Sequence, residues 1–209
     1  MLEELTRSWA AGWAHSRGIS VGTVEGWPIA HLRSAYAAWK IICAEPDPET
    51  WERLVDDIVG DRRAMLTVIA ADPAPYLAQV HPPVRVDRDD QWLMRRGLAA
   101  GGDAPVPAYD VQREEEGDQR FVVRLVRDER VAAEGYVAVR GEDAVFDRIE
   151  TSPGFRRQGL ATWVMGELSG YAVGQGAQAG LLTASAEGAA LYTSLGWERV
   201  APVRSLMGS

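Results

Sequence analysis

Apolar residues recur along this chain in two rhythms, one of three to four positions and one of two, and each change of rhythm marks an element. Leu2, Leu5, Trp9 and Trp13 keep the helical spacing, so the chain is expected to open on an amphipathic helix. Residues 16–26 are rich in turn formers, and residues 29–33 and 39–44 then read as strands. Asp47-Pro48-Glu49 is a strong helix start: a capping carboxylate, a proline suited to the first helical position, and an acid on the positive end of the dipole. Trp51, Leu54, Val55, Ile58 and Val59 follow as one apolar stripe. Residues 65–70 predict a buried strand, 74–80 a short helix and 91–95 another strand.

Residues 97–108 lose this periodicity and are dominated by Gly, Ala and Pro, which describes an exposed linker. Beyond it the strand rhythm takes over. Phe121, Val123 and Leu125 share one face; Val131, Ala133, Val137 and Val139 repeat the pattern; residues 144–151 form the third strand. Leu160, Ala161, Val164, Met165, Leu168 and Ala172 return to helical spacing. A strand at 180–184, a helix over 185–195 stopped by a left-handed Gly196, and a strand at 197–203 complete the order. This order predicts an α+β fold with a mixed, mostly antiparallel sheet flanked by helices over 109–209, preceded by a smaller α+β domain over 1–96. Six of the eight tryptophans (9, 13, 27, 39, 51 and 92) lie in that first domain. It is expected to be a packing and substrate-shaping module, or a degenerate copy of the second, rather than a second catalytic site.

Composition narrows the function. With 46% hydrophobic residues the chain can bury a sizeable core, and its net charge of −8 argues against nucleic acid, whose phosphates need a basic face. A cationic or amine ligand fits that charge better. The single cysteine, Cys43, lies in the apolar run Trp39-Lys-Ile-Ile-Cys-Ala and reads as a buried structural thiol in a reducing compartment. The N-terminus lacks the basic-then-apolar order of a signal peptide, and no run approaches the ~18 apolar residues of a membrane span. A cytoplasmic protein is expected. His15, His31 and His81 have no paired metal-ligand spacing, so no metal is expected. The absence of a Gly-x-Ser-x-Gly elbow disfavours a serine hydrolase.

One segment carries distinctive chemistry: Ile149-Glu-Thr-Ser-Pro-Gly-Phe-Arg-Arg-Gln-Gly-Leu-Ala161. It reads as a strand ending at Pro153, then a turn opening a helix through Arg156-Arg157-Gln158-Gly159-Leu160-Ala161. The first amides of a helix lack intrahelical partners and carry the positive end of the macrodipole, so they attract anions. Small residues at 159 and 161 let phosphate approach the backbone, and the arginines add bidentate donors. No Gly-Lys-Ser/Thr follows, so this is not a P-loop; nor is it the Gly-x-Gly-x-x-Gly of dinucleotide folds.

The pattern Arg156-x-x-Gly159-x-Ala161 resembles the acetyl-CoA signature of the GNAT N-acetyltransferases. A second stretch, Leu181-Leu-Thr-Ala-Ser-Ala-Glu-Gly-Ala-Ala-Leu-Tyr192-Thr-Ser-Leu-Gly-Trp197, resembles that family's later strand, Leu-Tyr helix and closing Leu-Gly-aromatic. The resemblance covers roughly 109–209. It implies acetyl-CoA as co-substrate, with the main chain of Ile149, Glu150 and Thr151 along its pantetheine arm and residues Arg156, Arg157, Gln158, Gly159, Leu160, Ala161 and Thr162 around its diphosphate. It also implies Tyr192 as the proton donor to the departing thiolate. Ser185 stands where the family often has Asn, and remains able to cap the helix. The two helices usual between the family's first two strands have no room between Tyr109-Asp-Val and Phe121.

Asp147 is the expected general base. Side chains alternate along a strand, so it is expected to share a face with Val145, Ile149 and Thr151, where apolar neighbours would raise its pKa. Its alternative is an ion pair with an arginine such as Arg124. Glu134 and Glu150 are the other carboxylates considered, with Glu150 expected on the opposite face. The acidic run Glu114–Asp118 reads as a solvated connection. Together these residues predict direct acyl transfer to the amine of a small molecule or peptide, without nucleic acid or membrane, in a chain compatible with a homodimer. The rival readings are a coenzyme A sensor without turnover and an interaction module.

Overall fold

The computed structural model describes residues 1–99 and 108–209. Contacts divide the chain into two units, Met1–Met94 with Thr183–Ser209, and Arg95–Leu182. Most of the linker expected over 97–108 lies outside the described residues; Gly97 ends a strand.

The first unit begins with α1 (Leu2–Ser16), which buries Trp9, Ala10, Trp13 and Ala14 at helical spacing. Strand β1 (Val21–Val24) turns into β2 (Trp27–His31) through Glu25 and Gly26, both at positive φ, the conformation of a tight hairpin turn. β1 escapes a sequence reading because its residues are largely exposed and carry no alternation. β3 (Trp39–Ala44) pairs antiparallel with β2, and α2 (Pro48–Ile58) returns the chain so that β4 (Ala64–Ile69) runs parallel to β3. Asp47 caps α2 as expected, its Oδ1 accepting the Thr50 N–H at 2.9 Å. Trp51, Leu54 and Ile58 are buried, whereas Val59 lies past the last turn and is 47% exposed. α3 (Ala74–Leu77) and β5 (Arg85–Gly97) follow, the latter longer than the five residues expected.

The second unit holds β6 (Asp110–Glu115), β7 (Arg120–Arg127), β8 (Arg130–Arg140) and β9 (Asp143–Thr151) as consecutive antiparallel neighbours. A short connection joins β6 to β7, as the spacing requires. Glu114 and Glu115 belong to β6, opposite Val122 and Phe121, so only the end of the acidic run is loop. After a one-turn helix at Pro153–Phe155, α4 (Leu160–Gly174) packs on β8, and β10 (Ala179–Ser185) runs parallel to β9. α5 (Ala186–Ser194) and β11 (Glu198–Met207) end the chain; β11 pairs antiparallel with β4, which is why these residues group with the first unit. A buried hydrogen bond of 2.8 Å between the Thr67 and Ser205 hydroxyls joins that pair.

Both units use one order of pairing. The run β1, β2, β3, α2, β4 has two antiparallel pairs followed by a parallel return over a helix, and so does β7, β8, β9, α4, β10.

Cys43 is fully buried in the first unit's core beside Ile41, Leu54 and Leu66, its Sγ 3.5 Å from the Thr67 carbonyl. Burial pushes its thiol pKa well above the ordinary range. Native protein should therefore resist a thiol reagent at neutral pH and react on unfolding; prompt modification of the folded chain would contradict this. In the second unit, a Cβ added at Gly135 would lie 2.6 Å from Val164 Cγ1 and 2.7 Å from Ile149 Cδ1. Gly135→Ala should cost about 1–3 kcal/mol by overpacking, read as a lowered melting temperature.

Candidate active site

The site develops where β9 loses its regular register. β8 and β9 pair from Arg140↔Asp143 to Tyr136↔Asp147; the register then shifts, so that Glu134 faces Glu150. Gly135 is left opposite both Arg148 and Ile149, and Arg148 is the extra residue of a β-bulge. It sits at φ 50. That left-handed conformation costs a non-glycine residue about 1–2 kcal/mol. Contacts offset part of it: the Arg148 guanidinium carbon lies 3.5 Å from the Tyr136 ring centroid, and its Nε lies 3.4 Å from Asp147 Oδ2.

The shift also changes the faces. Directly opposed residues share a face, and Tyr136 and Glu134 are two apart on β8, so Asp147 and Glu150 lie on the same side. Ile149 turns the other way, toward Val164 and Leu168 of α4. The expected grouping of Asp147 with Ile149 and Thr151, and of Glu150 with the opposite face, is thereby corrected: strict alternation fails across the inserted residue. The expected alternative partner is corrected too. Arg124 binds Glu134 at 3.2 Å, Glu114 at 3.0 Å and the Tyr136 hydroxyl at 3.1 Å, while Asp147 pairs with Arg148. Burial works against the Arg124 charge, but its bonds to Tyr136, Glu114 and Glu134 raise its pKa above the usual range.

On the other side of β9, the parallel ladder covers Asp143–Val145 against Ala179–Leu181, and β9 runs on past it to Thr151. The Thr151 hydroxyl is buried without a hydrogen-bond partner. Ser152 then ties the turn to β8, its N–H bonding the Ala132 carbonyl at 2.9 Å and its hydroxyl the Val131 carbonyl at 2.7 Å. Arg157 at φ 64 and Gly159 at φ 74 keep the chain out of helical geometry, so α4 begins at Leu160 rather than at Arg156. Its first hydrogen bond is donated by Trp163 to the Gly159 carbonyl, at 3.1 Å. The amides of Leu160, Ala161 and Thr162 precede it and have no carbonyl within the helix. Nothing lies within 4 Å of a Cβ built at Gly159, so the space above the turn is open. Arg156, Arg157 and Gln158 are exposed around it. Open space, free first-turn amides and flanking arginines fit paired phosphates.

The model of the acetyltransferase (GNAT) domain matches residues 106–208. The chain carries a GNAT acetyltransferase domain. The GNAT fold is shared with solved structures over nearly the whole chain. A GCN5-related N-acetyltransferase from Kribbella flavida superposes with TM-score 0.67 at 16% identity, covering 97% of this chain and 95% of that one. A GNAT-family protein from Novosphingobium aromaticivorans gives 0.64 at 19% identity, covering 99% and 98%. A tandem GNAT protein from the clavulanic acid biosynthesis pathway gives 0.55 at 12%, covering 86% and 77%. Curated proteins give no match.

The residues of the second stretch lie in α5 and at its two ends. Ser185 caps it, its hydroxyl accepting the Gly188 N–H at 3.3 Å. Gly196 at φ 82 ends it, with the Gly196 N–H on the Thr193 carbonyl and the Trp197 N–H on the Tyr192 carbonyl, each at 3.0 Å. This paired stop brings residues five apart together, and the Tyr192 and Trp197 rings meet edge-on with centroids 6.1 Å apart. The Tyr192–Trp197 spacing therefore follows from the helix stop. Among the described residues no group of three His, Cys, Asp or Glu is arranged to hold a metal, and no helix is long and apolar enough to cross a membrane.

Arg148 and Tyr136 were missed from the sequence. The signal for them is Gly135: a lone glycine inside a strand marks a bulge or a close approach. At Gly159 the strain is conformational, since space is open. Gly159→Ala should cost about 1–2 kcal/mol. Thermal denaturation without ligand should show this as a drop of about 2–8 °C, and an unchanged melting temperature would contradict the left-handed assignment.

Proposed function

We propose that the chain is an acyl-CoA-dependent N-acyltransferase moving an acetyl group from acetyl-CoA to the primary amine of a small molecule or peptide. The observation carrying this reading is the left-handed turn at Arg157 and Gly159, which offers the first amides of α4 just beyond a bulged strand. Leu160, Ala161 and Thr162 would hold the diphosphate by their N–H groups, with Arg156, Arg157 and Gln158 beside it. The main chain of Ile149, Glu150 and Thr151 would line the pantetheine arm, with Ser185 contributing from α5. In the transfer the amine nitrogen attacks the thioester carbonyl, forming C–N as C–S breaks. Asp147, directly or through water, takes the proton that the nitrogen loses, and the Tyr192 phenol gives its proton to the departing sulfur. No covalent enzyme intermediate is needed. The acidic balance of the chain supports a cationic acceptor in the cytoplasm.

The Asp147–Arg148 ion pair favours a second reading, in which the carboxylate is structural and the protein binds coenzyme A without turnover.

We read the first half as a degenerate copy of the second. The repeated order of pairing supports this, as does the likeness to a tandem GNAT protein. The difference between the helix starts supports a cofactor site in the second half alone. The Asp47 carboxylate takes the Thr50 N–H at the start of α2, and Glu49 adds a second negative charge, which disfavours a phosphate there.

Titration calorimetry should give one acetyl-CoA per chain, and the ligand should raise the melting temperature. Gly159→Val should abolish both signals. With a productive amine, free-thiol release should fall by about a hundredfold in Asp147→Asn and in Tyr192→Phe, with cofactor affinity preserved. Full turnover in both variants would remove the acid and base assignments, and zero turnover across an amine panel despite tight binding would favour the sensor reading.

A further inference from the structure

Four arginines converge around the α4 turn, and two of them come from outside the motif. Arg127 and Arg130 flank the β7–β8 hairpin; Arg156 and Arg157 belong to the turn. Among the described residues none of the four pairs with a carboxylate, in a chain whose net charge is −8. Elsewhere in this unit Arg113, Arg120, Arg124 and Arg148 each have an acidic partner.

The two hairpin arginines rest on an aromatic shelf. The Arg127 guanidinium carbon lies 3.9 Å from the Tyr109 ring centroid, and its Nη2 donates to the Ala108 carbonyl at 2.7 Å. Arg130 lies 5.8 Å over Phe155, and the Tyr109 and Phe155 rings meet edge-on at 6.1 Å. The shelf is joined to the turn: the Tyr109 hydroxyl donates to Gln158 Oε1 at 2.7 Å, and Phe155 is part of the turn itself. A guanidinium stacked on a ring keeps its edge donors free and oriented, which suits a phosphate oxygen pair.

A diphosphate at the first amides of α4 would already have Arg156 and Arg157 beside it. Two more cations at the neighbouring shelf fit an additional anionic group on the same ligand. We infer that Arg127 and Arg130, carried by Tyr109 and Phe155, form a subsite for the 3′-phosphate of coenzyme A, making the protein selective for ligands with a phosphomonoester beyond the diphosphate. This rests on the coenzyme A reading above. The carboxylates of Asp128 and Glu129 lie in the hairpin turn between the two arginines, yet neither pairs with them among the described residues.

The test compares binding of coenzyme A and 3′-dephospho-coenzyme A by calorimetry to the wild type, Arg127→Ala/Arg130→Ala, Arg127→Lys/Arg130→Lys and Arg156→Ala. The wild type should prefer coenzyme A by about tenfold, equivalent to about 1.4 kcal/mol. The double alanine variant should lose the preference while keeping its affinity for the dephospho ligand, and the double lysine variant should recover part of it. Arg156→Ala should weaken both ligands alike. Raised salt should erode the wild-type preference. Equal affinity of the wild type for the two ligands, or a preference surviving in the double alanine variant with unchanged melting temperature, overturns the subsite and leaves the diphosphate turn standing. Failure of the wild type to bind either ligand overturns both readings.

Discussion

The second unit is organised by one inserted residue. Arg148 adds a position to β9 that β8 does not match, and a bulge of this kind bends its strand and increases the local twist. Before it, β9 is an ordinary sheet strand, with buried Ala144 and Val145 paired on both sides and buried Phe146 paired with β8. After it, the described ladder with β10 has ended, and the strand runs on into the turn before α4. The insertion also puts Asp147 and Glu150 on one face and turns the half-buried Ile149 toward α4. The left-handed backbone needed for this is offset by the Tyr136 ring and the Asp147 carboxylate, and Gly135 opposite leaves room for Ile149.

The two crossover helices show how one backbone frame takes opposite roles. Each follows a strand and returns to a parallel neighbour. α2 begins with a proline and a carboxylate that accepts the Thr50 N–H, which stabilises the helix and sets a negative charge at its positive end. α4 begins with a glycine that has no side chain to offer. Capping residues contribute about 0.5–2 kcal/mol, so α4 gives up local stability to keep its amides free. It holds its place instead through burial of Trp163, Val164, Met165 and Leu168.

Local signals in the sequence translated well into elements. The Asp47-Pro48 cap, the Ser185 cap and the Gly196 stop all act within a few residues, so their chemistry is written in neighbouring letters. β7 and β8 were legible as strands from their runs of β-branched and small apolar residues, although both faces of each carry buried residues. β1 was not legible, since an exposed strand needs no apolar rhythm. The turn proposed as the anion site was legible as a turn from Arg156, Gly159 and Ala161 alone, although the helix was expected to start at Arg156 and begins at Leu160.

What the sequence settled by itself was most of the order of elements, the glycine-bearing turn before α4 and the burial of Cys43, because each depends on short-range stereochemistry or bulk hydrophobicity. Tertiary structure decided which way Asp147 and Glu150 point, that Asp147 meets Arg148 while Arg124 meets Glu134 and Glu114, and that the last strand returns to β4. Those outcomes turn on register between strands far apart in the chain. A shift of a single residue exchanges the two faces of a strand, and no pattern within β9 alone records where its partner slips.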